Sequence, residues 1–130
     1  MTVGRLGTPL PSDVVSARVD RKTVAGNPYD MENDEEQRDP VCDAFERLLL
    51  QLDIDVNGHI PSQAEVTRIG RDEGVTGRIH VWDGRGLRRR IRDLQTVARS
   101  ELIRLDCHCA PLRCHADSLA VLCEPCEGGP

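Results

Sequence analysis

Aromatic side chains are nearly missing from this chain of 130 residues: one Phe, one Tyr and one Trp, 2% of the total. Any core must therefore be aliphatic and rather thin. Long apolar runs are missing too, which excludes a bilayer-spanning helix by length alone. The first residues, Met1–Asp13, lack the apolar centre of a secretory signal. Nor is there an excess of positive charge. Seventeen Lys and Arg face twenty-two Asp and Glu, a net charge of −5. That argues against general adhesion to nucleic acid or to membranes, so neither is expected as a partner. The expected compartment is the cytoplasm. In that reducing setting the six cysteines read as thiols, metal ligands or catalytic groups before disulfides.

The length suits one domain. Residues 1–13, rich in Gly and Pro, are expected to be a flexible arm, and residues 124–130 a flexible tail. Between them, Val15, Ala17 and Val19 alternate with Ser16, Arg18 and Asp20, the period of a strand running through Arg21. Arg18, Arg21 and Lys22 make a basic cluster at its end. Gly26-Asn27-Pro28-Tyr29 follows, a rigid loop that could present the Asn27 amide to a ligand. Asp39-Pro40 predicts a helix start, and Val41, Phe45, Leu48, Leu49 and Leu52 form one apolar stripe over 40–52. Cys42 in its first turn reads as a packing residue.

Ser62-x-x-Glu65 matches a capping box and opens a second helical stretch. Gly77–Trp82 is expected to be a short strand ending at Asp83-Gly84, with Trp82 over an edge of the core. Residues 53–86 read as a local elaboration. Leu87, Ile91, Leu94 and Val97 predict a third helix over 87–99, whose Arg88, Arg89, Arg90 and Arg92 lie mostly off the apolar stripe. A run like that is ordinarily a solvated face, with phosphate binding as the alternative. Residues 62–92 also carry a faint helix-turn-helix order, the basis for a weaker reading as a DNA-binding adaptor.

The chain converges on Ser100–Leu122. Ile103, Leu105 and Cys107 alternate with Arg104, Asp106 and His108, so a strand is predicted here, broken by Pro111. A helix begins near Cys114, with Asp117 in its first turn, where a carboxylate suits the positive end of the helix. Three cysteines and two histidines fall within Cys107–His115. Cys107, on the face of Ile103 and Leu105, is expected to point into the core. Cys114 and His115 sit at the mouth of a helix N-terminus, a position that favours anions and lowers a thiol's pKa.

Gly26-Asn27-Pro28-Tyr29, Asp43-Ala44-Phe45 and above all Cys107-His-Cys109-Ala-Pro111-Leu-Arg-Cys114-His115-Ala-Asp117 resemble an uncharacterised family of bacteria and their phages, catalogued as domain of unknown function 4326. The resemblance covers roughly residues 14–123 and implies a fold and a site; it carries over no reaction.

The expected architecture is a small single-domain α/β fold: a few-stranded sheet with packed helices and a C-terminal strand–loop–helix carrying the Cys/His cluster. Three readings of that cluster stay open. In one it binds a phosphate-bearing small molecule, a nucleotide or sugar phosphate. Cys114 would then be a candidate nucleophile, His115 an acid/base, and Arg18, Arg21, Asn27, Cys109 and Asp117 would line the site. In the second, Cys109, Cys114 and His115 are candidate zinc ligands of a structural or partner-binding module. In the third, the thiols are buried and inert. Whether the site turns anything over does not follow from the residues.

Overall fold

A computed structural model of the chain describes residues 1–20, 22–55, 57–108 and 112–123. The described residues form a three-stranded parallel sheet and four α-helices: β1 (Thr2–Arg5), β2 (Val14–Arg18), α1 (Arg38–Gln51), α2 (Gln63–Asp72), α3 (Gly84–Ala98), β3 (Leu102–Cys107) and α4 (His115–Cys123). The α/β class is as expected. β3 is central, with β1 and β2 parallel on either side of it. No helix among the described residues is long and apolar enough to cross a membrane.

β1 falls inside the stretch expected to be an arm. It pairs with β3 from Thr2↔Arg104 to Arg5↔Cys107. A four-residue strand containing a glycine has almost no periodic signal, so only its pairing partner reveals it. Because β1 and β2 are both parallel to β3, residues 6–13 must return the chain across the sheet. Arg104 ties that return, donating to the carbonyls of Thr8 and Pro9 at 2.8 and 2.9 Å. Asp106 joins Arg104 at 2.6 Å and accepts from Ser16. Polar residues of β3 are thus consumed under the connection, while Ile103, Leu105 and Cys107 are buried on the core side.

On the core side α3 and α4 lie against β3, and α4 also against β1. α1 packs on α4, with α2 beyond it. This corrects the expectation that helix 40–52 rests on the sheet itself. Phe45, Leu48, Val66, Ile69, Leu87, Ile91, Leu105 and Leu119 are fully buried, so the aliphatic core inferred from composition is present and α2 of the 53–86 stretch belongs to it.

Gly77–Trp82 is not a strand. One antiparallel bridge, Tyr29↔Ile79, is made, flanked by Asp30 N–H to the Arg78 carbonyl and His80 N–H to the Pro28 carbonyl. With no further partner the pairing stops there. Trp82 is partly buried as expected and donates its indole N–H to the Pro61 carbonyl at 2.9 Å. Eleven residues, 73–83, separate α2 from α3. A helix-turn-helix joins its helices by about 3–4 residues, so 62–92 is not that motif.

Candidate metal centre at the carboxyl edge of the sheet

Parallel strands all end on one side, and the loops that leave them there are where α/β folds gather ligands. β2 ends at Arg18 and leads into Val19 and Asp20. β3 ends at Cys107 and leads into His108. α4 begins at His115, directly after Cys114. These three ends converge with the start of α1 around a cavity of about 140 Å³, lined by Asp20, Asn27, Arg38, Cys42, Cys107, His108, Arg113, Cys114 and His115 among others.

His115 is buried and held from several sides. Its Nε2 lies 2.7 Å from the Val19 carbonyl and 3.1 Å from the Ala25 carbonyl. Carbonyls only accept, so the ring proton sits on Nε2 and the lone pair on Nδ1. Phe45 stands edge-on to the ring, centroids 5.1 Å apart and planes at 86°. Nδ1 is thereby aimed at Cys114 Sγ, 3.4 Å away. The first turn of α4 steadies the thiol: Cys114 N–H donates to Asp117 Oδ2 at 3.0 Å, and Ala116 N–H points to Cys114 Sγ at 3.5 Å.

Cys107 completes the group. Its Sγ, Cys114 Sγ and a His115 ring nitrogen all lie within 4.8 Å of one another, and all three residues are buried. Cys107 was expected to be an inert core thiol. It is buried, but it is the last residue of its strand, so its inward-facing sulfur emerges where α4 begins. Cys109, named from sequence as a ligand, lies outside the described residues, as do Arg21 and Cys126. Cys123, at the far end of α4, stands apart from the cluster, and burial pushes its thiol up to about 12.

The other expected site residues divide. Asn27 lines the cavity, but its amide is spent on the fold: Nδ2 donates to the Val41 carbonyl at 3.1 Å and Oδ1 accepts from Tyr29 N–H at 2.9 Å. Asp117 caps α4 and does not line the cavity. Arg18 chelates Asp20 through Nε and Nη2 at 2.7 and 2.8 Å. Those hydrogen bonds hold the buried Asp20 carboxyl below its ordinary value of 3.8 against the opposing effect of burial, with His108 at 3.3 Å adding to the lowering.

Sequence reasoning missed Asp20, Arg38, His108 and Arg113 on the cavity wall. Arg113, two residues before α4, ties that approach to α1, meeting Asp39 at 2.8 Å and Asp43 at 2.7 Å. Arg38 meets Glu35 at 2.8 Å and donates to the Arg113 carbonyl at 2.9 Å. Their positions beside Pro40 and Cys114 were the available signal.

The family model described as Domain of unknown function (DUF4326) matches residues 7–125. The chain belongs to that family. The match takes in every residue of the cavity wall named above. No curated protein and no solved structure matches the chain.

Proposed function

We propose that Cys107, Cys114 and His115 hold a zinc ion at the wall of this cavity. Two thiolates and an imidazole are the donor set zinc prefers. The observation that carries the reading is the distance set. Zinc bonds of about 2.3 Å to sulfur and 2.0–2.1 Å to nitrogen, at a tetrahedral angle, put sulfur and nitrogen about 3.6 Å apart and two sulfurs about 3.8 Å apart. Cys114 Sγ and His115 Nδ1 are already at 3.4 Å. The other separations, none above 4.8 Å, need to close by about 1 Å at most. The imidazole is also anchored through its far nitrogen to backbone carbonyl, the outer-shell arrangement that fixes a metal-ligating histidine.

Among the described residues three side chains would hold the ion, and the cavity beside them has room for water or a small oxygen ligand, which the ion would polarise. Phosphate binding by the same cavity has less support. Both cavity arginines are already paired with carboxylates, Asp20 brings a negative charge, and about 140 Å³ is below the ~300 Å³ at which small-molecule pockets begin.

Native mass spectrometry of protein prepared without chelator tests the reading. One ion, adding about 63 Da after loss of two thiol protons, is expected in the wild type. Cys107→Ser and His115→Ala should lose it, and Cys123→Ala should keep it. Folded wild-type protein that takes up no zinc would end the proposal.

A further inference from the structure

A second depression lies away from the metal cavity, between α3 and the residues 57–61 loop. Its volume is about 1000 Å³. Arg85, Arg88, Arg89 and Arg92 enter it from the first turns of α3, and Trp82 is part of its wall. The spacing i, i+4, i+7 of Arg85, Arg89 and Arg92 places them along one side of the helix. Against four arginines the lining has two carboxylates, Asp83 and Asp93. Asp83 already accepts from the Gly86 N–H at 2.9 Å as the helix cap.

The four guanidinium groups fall into two pairs. Arg88 donates to the carbonyls of Asp55 and Gly58 at 2.9 and 3.1 Å, and Arg92 to that of Ile54 at 3.2 Å. These bonds fix the two side chains while leaving their remaining N–H groups to the groove. Arg85 and Arg89 are exposed and have no ion pair or side-chain hydrogen bond among the described residues. Like charges at i,i+4 oppose one another on a helix, so the stripe stands against a local cost that an anion would relieve. The chain as a whole is acidic at −5, so this cluster runs against the net charge.

We infer that this groove binds a phosphate-bearing small molecule of nucleotide size, with Arg85 and Arg89 on the phosphates and Trp82 beside the apolar end. Arginine suits phosphate because its planar fork bonds two oxygens at once. The groove also has the volume that the metal cavity lacks, at the upper end of the range for small-molecule sites.

Isothermal titration calorimetry of the full chain with ATP, at about 50 mM salt, is the test. ATP should bind with zinc loaded and with zinc chelated alike, which separates this inference from the metal reading. The double variant Arg85→Gln/Arg89→Gln should weaken ATP by about 10-fold or more. Arg99→Gln, at the C-terminal cap of the same helix, should leave it unchanged. Circular dichroism melts check that the variants fold, which these exposed positions favour. No heat with ATP, equal affinity in the double variant, or binding of a single-stranded oligonucleotide that ATP fails to displace would each overturn the inference, the last in favour of a nucleic-acid surface.

Discussion

A metal that binds the folded chain and not the unfolded one stabilises it by mass action, and here the size of that effect can be worked out. With free zinc at 100 times the dissociation constant the gain is about 2.7 kcal/mol. For a chain of this length each kcal/mol moves the midpoint by about 3–6 °C, so zinc should raise the unfolding temperature by about 8–16 °C over chelated protein. Cys107→Ser is the sharper perturbation, because a hydroxyl nearly replaces the thiol in volume and leaves the strand end intact. Chelated Cys107→Ser should melt within about 1–2 kcal/mol of chelated wild type, and the zinc increment should vanish. Acid should erase the increment as well. Cys107 and Cys114 bind as thiolates, so two protons leave when the metal enters. While both thiols start protonated, one pH unit of acidification weakens zinc by up to about 100-fold, which cuts the gain from about 2.7 to about 0.4 kcal/mol. Scanning calorimetry with zinc or chelator at several pH values measures all of this. Superimposed melts with and without zinc, or an undiminished increment in Cys107→Ser, would refute the reasoning.

Other consequences are local. In α2, Gly70→Ala would gain about 1 kcal/mol of helix propensity, but a Cβ there would come within 2.6 Å of Tyr29 Cε1 and 3.0 Å of Ile79 Cδ1. Tyr29 is pinned by its hydroxyl on the Val66 carbonyl at 2.7 Å, so overpacking of about 1–3 kcal/mol should win and a urea midpoint should fall; a rise would mean that Tyr29 yields. Ser62→Ala removes the cap on the Glu65 N–H and should cost about 1 kcal/mol in the same assay, whereas Ser62→Gly should cost only a few tenths. The Asp20 carboxyl, held below 3.8 in the folded chain chiefly by Arg18, contributes stability that is present above that value and lost as pH falls through the folded one. Wild type should therefore lose stability below about pH 4 more steeply than Asp20→Asn, and parallel acid titrations of the two would remove this account.

What could be read from the residues was what the residues decide locally. Asp39-Pro40 announced α1, and the helix starts two residues earlier than expected, at Arg38. Ser62 and Glu65 announced α2, and both bonds of the capping box are made. α3 was expected from Leu87 but begins at Gly84, because Asp83 caps it and takes the expected turn glycine, Gly84, into a first helical turn. β3 and α4 on either side of the cluster were legible from the alternation before Cys107 and the helical pattern after Cys114, while Pro111 lies outside the described residues. β1 was not, since four residues carry no period and its identity depends on Arg104 and Cys107 a hundred positions away.

The Cys107, Cys114 and His115 cluster lies on the boundary between those cases. Its chemistry was visible as a density of soft ligands; how the adjacent Cys114 and His115 come to face one point was not. Two contacts beyond the motif account for it. The Val19 and Ala25 carbonyls, 96 and 90 residues away in sequence, take the imidazole's Nε2 and turn Nδ1 back toward the preceding sulfur. The end of β3 then delivers a second sulfur from a residue whose alternation assigned it to the core. A strand's last inward-facing side chain is both core and edge, and on a parallel sheet the carboxyl edge is where a helix N-terminus arrives with its own donors. Cys107 is therefore buried for the reason the pattern gave and placed beside Cys114 for a reason only the topology supplies. The same logic identifies the discriminating variant. Losing Cys107 should abolish metal binding while costing the fold little, whereas losing the equally buried Cys123, at the far end of α4, should leave zinc binding unchanged.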